Sequence, residues 1–209
     1  MEYVGFNVIS GRYGPDPGEI GEMRIDSSTN ALTTISYPHH EIHEGKSFVC
    51  HYSQTVSDTD DKSIIAFKVG AIPLDVVYSA SASSVGIAYI YESPAVTDGQ
   101  GTTLAVYNRN RQENMPASTI INTSTTPDTA GSAMYFSETD MAQVAGGTQL
   151  AHIPIGASAV PKPVGGTARE TQEWILRPGL FYAFIIKSTS DADNTHWLEL
   201  SWYEHADKR

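Results

Sequence analysis

From Lys46 onward, apolar and polar residues alternate over short stretches separated by turn-forming residues. SFVCHYSQTV places Phe48, Cys50 and Tyr52 on one side of an extended chain, because successive strand side chains point to opposite faces. The acidic turn SDTDD (57–61) leads into KSIIAFKV, then LDVVYSASAS and SVGIAYIYES. In the last of these, Ile87, Tyr89 and Tyr91 fall on one face and Ala88 and Ile90 on the other, as in a strand covered on both sides. TTLAVYNRN, STIINTST and SAMYFSE are shorter strands bounded by Pro, Gly, Asp and Asn, and TQLAHIPIG follows the pair Gly146–Gly147. The finish is the most regular. Leu198, Leu200 and Trp202 alternate with Trp197, Glu199, Ser201 and Tyr203, and Pro178–Gly179 upstream supplies the two backbone conformations of a tight turn.

About nine or ten such strands separated by turns predict an all-β fold. The expected architecture is an antiparallel β-sandwich, jelly-roll-like, over residues 36–209. Its expected core includes Phe48, Cys50, Ile65, Ile87, Ile90, Phe184, Leu198 and Leu200. Only SETDMAQVAGG (137–147) reads as helical, with Ser137 or Thr139 as cap and glycine as stop. Residues 1–35 differ. The Gly and Pro density of GRYGPDPGEIGEM breaks helices and ladders alike, so an extended N-terminal arm is expected. Its start is apolar, and Tyr3, Val4, Phe6, Val8 and Ile9 are the residues by which such an arm would add to a neighbour's sheet edge.

Charged residues make up only 18% of the chain, so its polar surface is built from Ser, Thr, Asn and Gly, which suits a pleated, half-wet face. The net charge of −11 comes with no basic stripe able to neutralise phosphates, so no nucleic-acid partner is expected. No apolar run is long enough to cross a bilayer, and the first residues lack a basic region followed by an apolar one; neither a membrane partner nor a secretory signal is expected. The single cysteine forms no internal disulfide, in keeping with a reducing cytoplasm.

Four of the seven histidines crowd into YPHHEIHEGKSFVCHYSQ, beginning at Tyr37. A zincin requires H-E-x-x-H on a helix. Here Glu41 comes one place late between His39 and His43, and Pro38 and Gly45 leave little room for a helix. A strand would instead put His39, Glu41 and His43 on one face, the geometry of a cupin-like metal site. Weighed against that is a polar turn leading to the first strand, which is the expected state. Two acidic clusters, 57–61 and 190–194, could offer calcium its oxygens, but they lack the glycine and distal glutamate of an EF-hand and fall at expected hairpin turns. No nucleophile elbow, phosphate loop or dinucleotide fingerprint occurs. The expectation is therefore a protein that is not an enzyme, with no catalytic residue, no bound metal and no cofactor.

The runs HEIHEGKSFVCHYSQTVSDTDDKSIIAFK and QEWILRPGLFYAFIIKSTSDADNTHWLELSWYEH resemble a group of tailed-bacteriophage virion proteins, and TTLAVYNRNRQ and GGTQLAHIPIG are similar to the same group. Together these span residues from about 36 to 206. The resemblance implies a head-associated β-sandwich of the capsid decoration or cement type, a homo-oligomer with the trimer favoured. Its implied partners are the major capsid protein or other virion subunits, in a particle assembled in the host cytoplasm. Two alternatives stand beside it. One is a tail or fibre module binding a host surface glycan through Trp197, Trp202 and Tyr203; the other is a cupin-like metal-dependent enzyme centred on His39, Glu41 and His43.

Overall fold

In the computed structural model, the described residues are 37–96, 101–122, 132–136, 144–156, 164–165 and 173–204. The chain divides at residue 40, and the two sheets described next belong to residues 41–209. Among the described residues, one short helix, α1 (Tyr37–His43), precedes fourteen strands. These are β1 (Ser47–Val56), β2 (Lys62–Lys68), β3 (Leu74–Ala82), β4 (Gly86–Glu92), β5 (Ala95–Val96), β6 (Thr102–Ala105) and β7 (Tyr107–Asn108). There follow β8 (Ser132–Phe136), β9 (Val144–Ala145), β10 (Thr148–Ile155), β11 (Val164–Gly165), β12 (Trp174–Leu176), β13 (Phe181–Ser188) and β14 (Asn194–Glu204).

The strands form two antiparallel sheets. The front sheet runs β7–β1–β14–β3, with β11 and β12 both on the far edge of β3; the back sheet runs β6–β8–β2–β13–β4–β10. The connections β1 to β2, β2 to β3, β3 to β4 and β13 to β14 each cross from one sheet to the other, so β1–β14 in front continues into β2–β13 behind. A paired ribbon wound over a core in this way is a jelly roll. The stretch between β4 and β10 adds β7 to the front edge and β8–β6 to the back edge, and forms a separate ribbon, β5–β9.

Alternation decides what enters the core. Leu198, Leu200 and Trp202 of β14 face inward with Phe48 and Cys50 of β1 and Val76, Tyr78 and Ala80 of β3. From the back sheet come Ile65 and Phe67, Ala88 and Ile90, and Tyr182, Phe184 and Ile186. Rings bridge the sheets: Phe67 stacks on Trp202 at 6.0 Å, and Tyr78 meets Phe184 at 5.9 Å. Such pairs contribute about 0.5–1.5 kcal/mol beyond the area they bury. The back sheet is also covered behind, where Ile64, Ala66, Ala183 and Ile185 pack with Val144 and with partly buried Val96 of the β5–β9 ribbon. Burial on both faces explains why β2 and β13 are apolar at consecutive positions rather than at alternate ones.

Polar side chains tie the ends of the sandwich. Glu204 closes the inward row of β14, only 4% exposed. Its carboxylate accepts from the Ser118 hydroxyl (2.5 Å), the Thr119 N–H (3.0 Å to each oxygen) and the Trp202 indole N–H (3.2 Å). Thus anchored, the segment that includes Ser118 inserts Ile120 into the core. At the other end of β14, Asn194 accepts from the Ser84 N–H (2.8 Å) and donates to the Val85 carbonyl (3.0 Å), joining two turns.

Several expectations need correcting. Ile87 is only partly buried on the outer face of the back sheet, while Ala88 and Ile90 carry the core side of β4. The described part of STIINTST, residues 118–122, forms no strand; its paired contribution is an isolated bridge from Ile121 to Lys68. Within 137–147, Val144–Ala145 is strand rather than helix, and residues 137–143 lie outside the described set. The histidine stretch opens with a helix, α1, where a polar turn was expected, and then enters β1 at Ser47. Pro38 sits near the start of α1, where its missing N–H costs nothing. Gly45, at φ 71°, ends it: Gly45 N–H reaches the Ile42 carbonyl (3.1 Å) and Lys46 N–H that of Glu41 (2.9 Å). That bond pair is a Schellman stop. The expected arm, with Tyr3, Val4, Phe6, Val8 and Ile9, lies outside the described residues.

Candidate functional site

The outer face of the front sheet presents exposed side chains from three long strands, β1, β14 and β3. Its geometry follows from register. Across β1, β14 and β3, Ser53 pairs with Trp197 and Trp197 with Ser81; one row along, His51 pairs with Glu199 and Glu199 with Ser79. Next to Trp197 on the other side, Thr55 and Thr195 hydrogen-bond through their hydroxyls at 2.9 Å. Trp197 is 43% exposed at the centre of this hydroxyl field and borders a shallow cavity of about 250 Å³. The short neighbours leave its indole uncovered.

The row His51–Glu199–Ser79 joins imidazole, carboxylate and hydroxyl, but in the wrong order for nucleophilic catalysis. A relay requires imidazole between hydroxyl and carboxylate. Glu199, on the central strand, separates His51 from Ser79, which stand two strands or about 9.5 Å apart.

Of the aromatic trio proposed for glycan contact, only Trp197 is available. Trp202 is fully buried and Tyr203 is 6% exposed, so both leave that set. Alternation put Trp202 on the face of Leu198 and Leu200, which are core residues; it could not show that Tyr203, on the opposite face of the strand, would also be covered.

The metal candidates are not brought onto one face. In α1, Glu41 and His43 stand two residues apart and so about 200° around the axis from each other. Glu41 is buried and His43 exposed. The space between the sheets, where a cupin-type site would sit, is filled by Phe48, Phe67, Phe184 and Trp202.

Both acidic turns meet at one end of the sandwich, which the sequence did not show. Asp60 N–H donates to the Ser188 carbonyl (3.0 Å), Ser188 N–H to that of Asp61 (2.8 Å), and the Thr59 hydroxyl to the Asp191 carboxylate. Asp61 accepts from the Asp58 N–H at 3.0 Å, and Asp60 pairs with Lys187 at 2.5 Å. These carboxylates serve the turns. Among the described residues, no three of them converge as ligands for one cation.

Two reactive side chains are held inert in the interior. Burial pushes the Cys50 thiol well above its ordinary range, with a further push from the Glu199 charge. His196 is fully buried, its Nδ1 2.9 Å from the Ser63 hydroxyl across the two sheets, and burial lowers its pKa to about 4. A pKa depressed in the folded state means that unfolded chains bind the proton first as pH falls below about 6.5. Stability should therefore be intact at neutral pH and decline on acidification, by about 2 kcal/mol at pH 5 and about 3 kcal/mol at pH 4 from this residue. Urea unfolding at several pH values checks this: His196→Gln, which cannot protonate, should lose that part of the slope. An identical slope in the variant would remove the buried imidazole as its cause.

Among the described residues, no helix is long and apolar enough to cross a membrane. Comparison of the chain with protein-family models, with curated proteins and with solved structures finds no match in any of the three. Fold and face define the class: a jelly-roll β-sandwich that presents a hydroxyl-rich sheet face centred on one tryptophan.

Proposed function

We propose that this protein is a structural component of a bacteriophage virion, a decoration protein that binds and stabilises the head shell. The observation that carries this reading is the front-sheet face. A single large aromatic side chain ringed by short polar residues is the composition of an interface anchor with a wettable rim. The long runs that resemble phage virion proteins supply the setting, with the major capsid protein or other virion subunits as partners and a trimer as the expected oligomer. Paired, buried and hydrogen-bonded side chains in the interior suit a part whose work is done at its surface.

The test is occupancy on the particle. Quantitative mass spectrometry of purified virions should give copies in the hundreds; a few to tens would place the chain in the tail instead. Trp197→Ala should lower occupancy about tenfold, as expected for an interface anchor worth more than about 1.4 kcal/mol. Its melting temperature should stay near that of the parent. Unchanged occupancy would remove this face from the interface.

The same exposed indole supports a second reading, binding of a host surface glycan, now through Trp197 without Trp202 or Tyr203. Retention on immobilised host envelope glycans that Trp197→Ala abolishes, together with low copy number, would favour it.

A further inference from the structure

The back sheet carries a second site, which rests on neither reading above. Where the β5–β9 ribbon folds over its outer face, a cavity of about 480 Å³ opens between ribbon and sheet. The floor is Tyr89, Tyr91 and Ile185, and Lys62 and Lys187 stand along one side. Gly146 and Gly147 form part of the opposite wall, at φ 69° and 88°. A Cβ on Gly147 would come within 2.7 Å of the Glu92 carbonyl, so only glycine lets the ribbon close this tightly.

Charge selects the occupant. Lys62 and Lys187 are direct cross-strand partners, and like charges so placed destabilise a sheet unless something neutralises them. Asp60 pairs with Lys187 at 2.5 Å; Lys62 has no ion pair among the described residues. Among the described residues, two lysines and one aspartate leave one positive charge, held in a concave site on a chain of net charge −11. That balance fits a monoanionic carboxylate better than a doubly charged phosphate. Beside the cations, the rings of Tyr89 and Tyr91, 5.8 Å apart and tilted by 35°, offer the apolar faces on which a sugar ring packs. On the rim, Gln149 accepts from the Tyr91 hydroxyl at 3.1 Å, which orients that phenol. We propose that this cavity binds a carboxylate-bearing sugar residue, the carboxylate at Lys62 and Lys187 and the ring over Tyr89 and Tyr91.

Titration calorimetry on the full chain tests it, with glucuronate, glucose and inorganic phosphate as probes. Glucuronate should bind, and the neutral sugar and the phosphate should each bind at least about tenfold more weakly. Lys62→Gln, a partly exposed position, should weaken glucuronate about tenfold without lowering the melting temperature. Tyr89→Phe should retain binding, Tyr89→Ala should lose it, and Trp197→Ala should leave it unchanged. Absence of glucuronate binding would overturn the proposal, as would glucose or phosphate binding equally well, or an unaltered affinity in Lys62→Gln. Loss of binding in Trp197→Ala would move the sugar to the front face and equally refute it.

Discussion

Replacing Trp202 with alanine should destabilise the protein by about 3–5 kcal/mol, the range for truncating a large buried ring. The ring is fully buried at the centre of the sandwich. It stacks on Phe67 from the back sheet at 6.0 Å and 24°, touches Phe48 at 6.0 Å, and donates its indole N–H to Glu204 at 3.2 Å. Truncation would open a cavity that both rigid sheets border, so neighbours can collapse into it only by disturbing two ladders. For a chain of this size each kcal/mol lowers the melting temperature by about 2–4 °C, so a fall of about 10 °C or more is expected by calorimetry. Trp197→Ala is the matched control. It removes the same side chain from an exposed position and should change stability by no more than about 0.5 kcal/mol. Equal losses in the two variants would mean that the sheet faces have been assigned the wrong way round.

Glu204→Ala should cost a similar amount, about 3–5 kcal/mol, for an electrostatic reason rather than a packing one. Three donors converge on its carboxylate: the Ser118 hydroxyl, the Thr119 amide and the Trp202 indole. Alanine leaves all three donors without their acceptor in a site closed to water, and each unsatisfied buried donor costs about 1–3 kcal/mol. Glu204→Gln keeps one acceptor oxygen and should fall between alanine and the parent. Hydrogen exchange adds a local readout: the Thr119 amide should exchange faster in both variants, and most in the alanine one. Slow exchange at Thr119 in Glu204→Ala would show that the Ser118–Ile120 segment is held by something other than this carboxylate.

Much of this fold was legible in the pattern of residues. The bounds of β1, β2, β3 and β13 follow runs visible in the chain, and the Pro178–Gly179 turn appears with Gly179 at φ 78°. Seven of the eight expected core residues are buried, because alternation reports faces directly. Ile87 failed for an instructive reason. β4 is apolar at successive positions, so its pattern contains no preference for one face, and the choice fell to neighbours far away in the chain. α1 was misread by giving Pro38 weight as a breaker. Near a helix start proline breaks nothing, and Gly45 was the stop signal available.

The candidate face was half visible. Trp197 and Glu199 were on the correct side of β14, but their partners on β1 and β3 lie well over a hundred residues away in sequence, where no local pattern reaches. The same limit hid the cavity under the β5–β9 ribbon, which needs four separate segments, and the meeting of the two acidic turns. By itself, then, the sequence determined which stretches are strands, which side of most of them is apolar and where several turns fall. These are properties of period and turn chemistry within a few residues. Only the tertiary structure decided which strands pair, that Tyr203 and Glu204 are covered while Trp197 is not, and which charges share a cavity. Burial and charge pairing depend on what arrives from elsewhere in the chain, and that is a matter of long-range closure rather than of local preference.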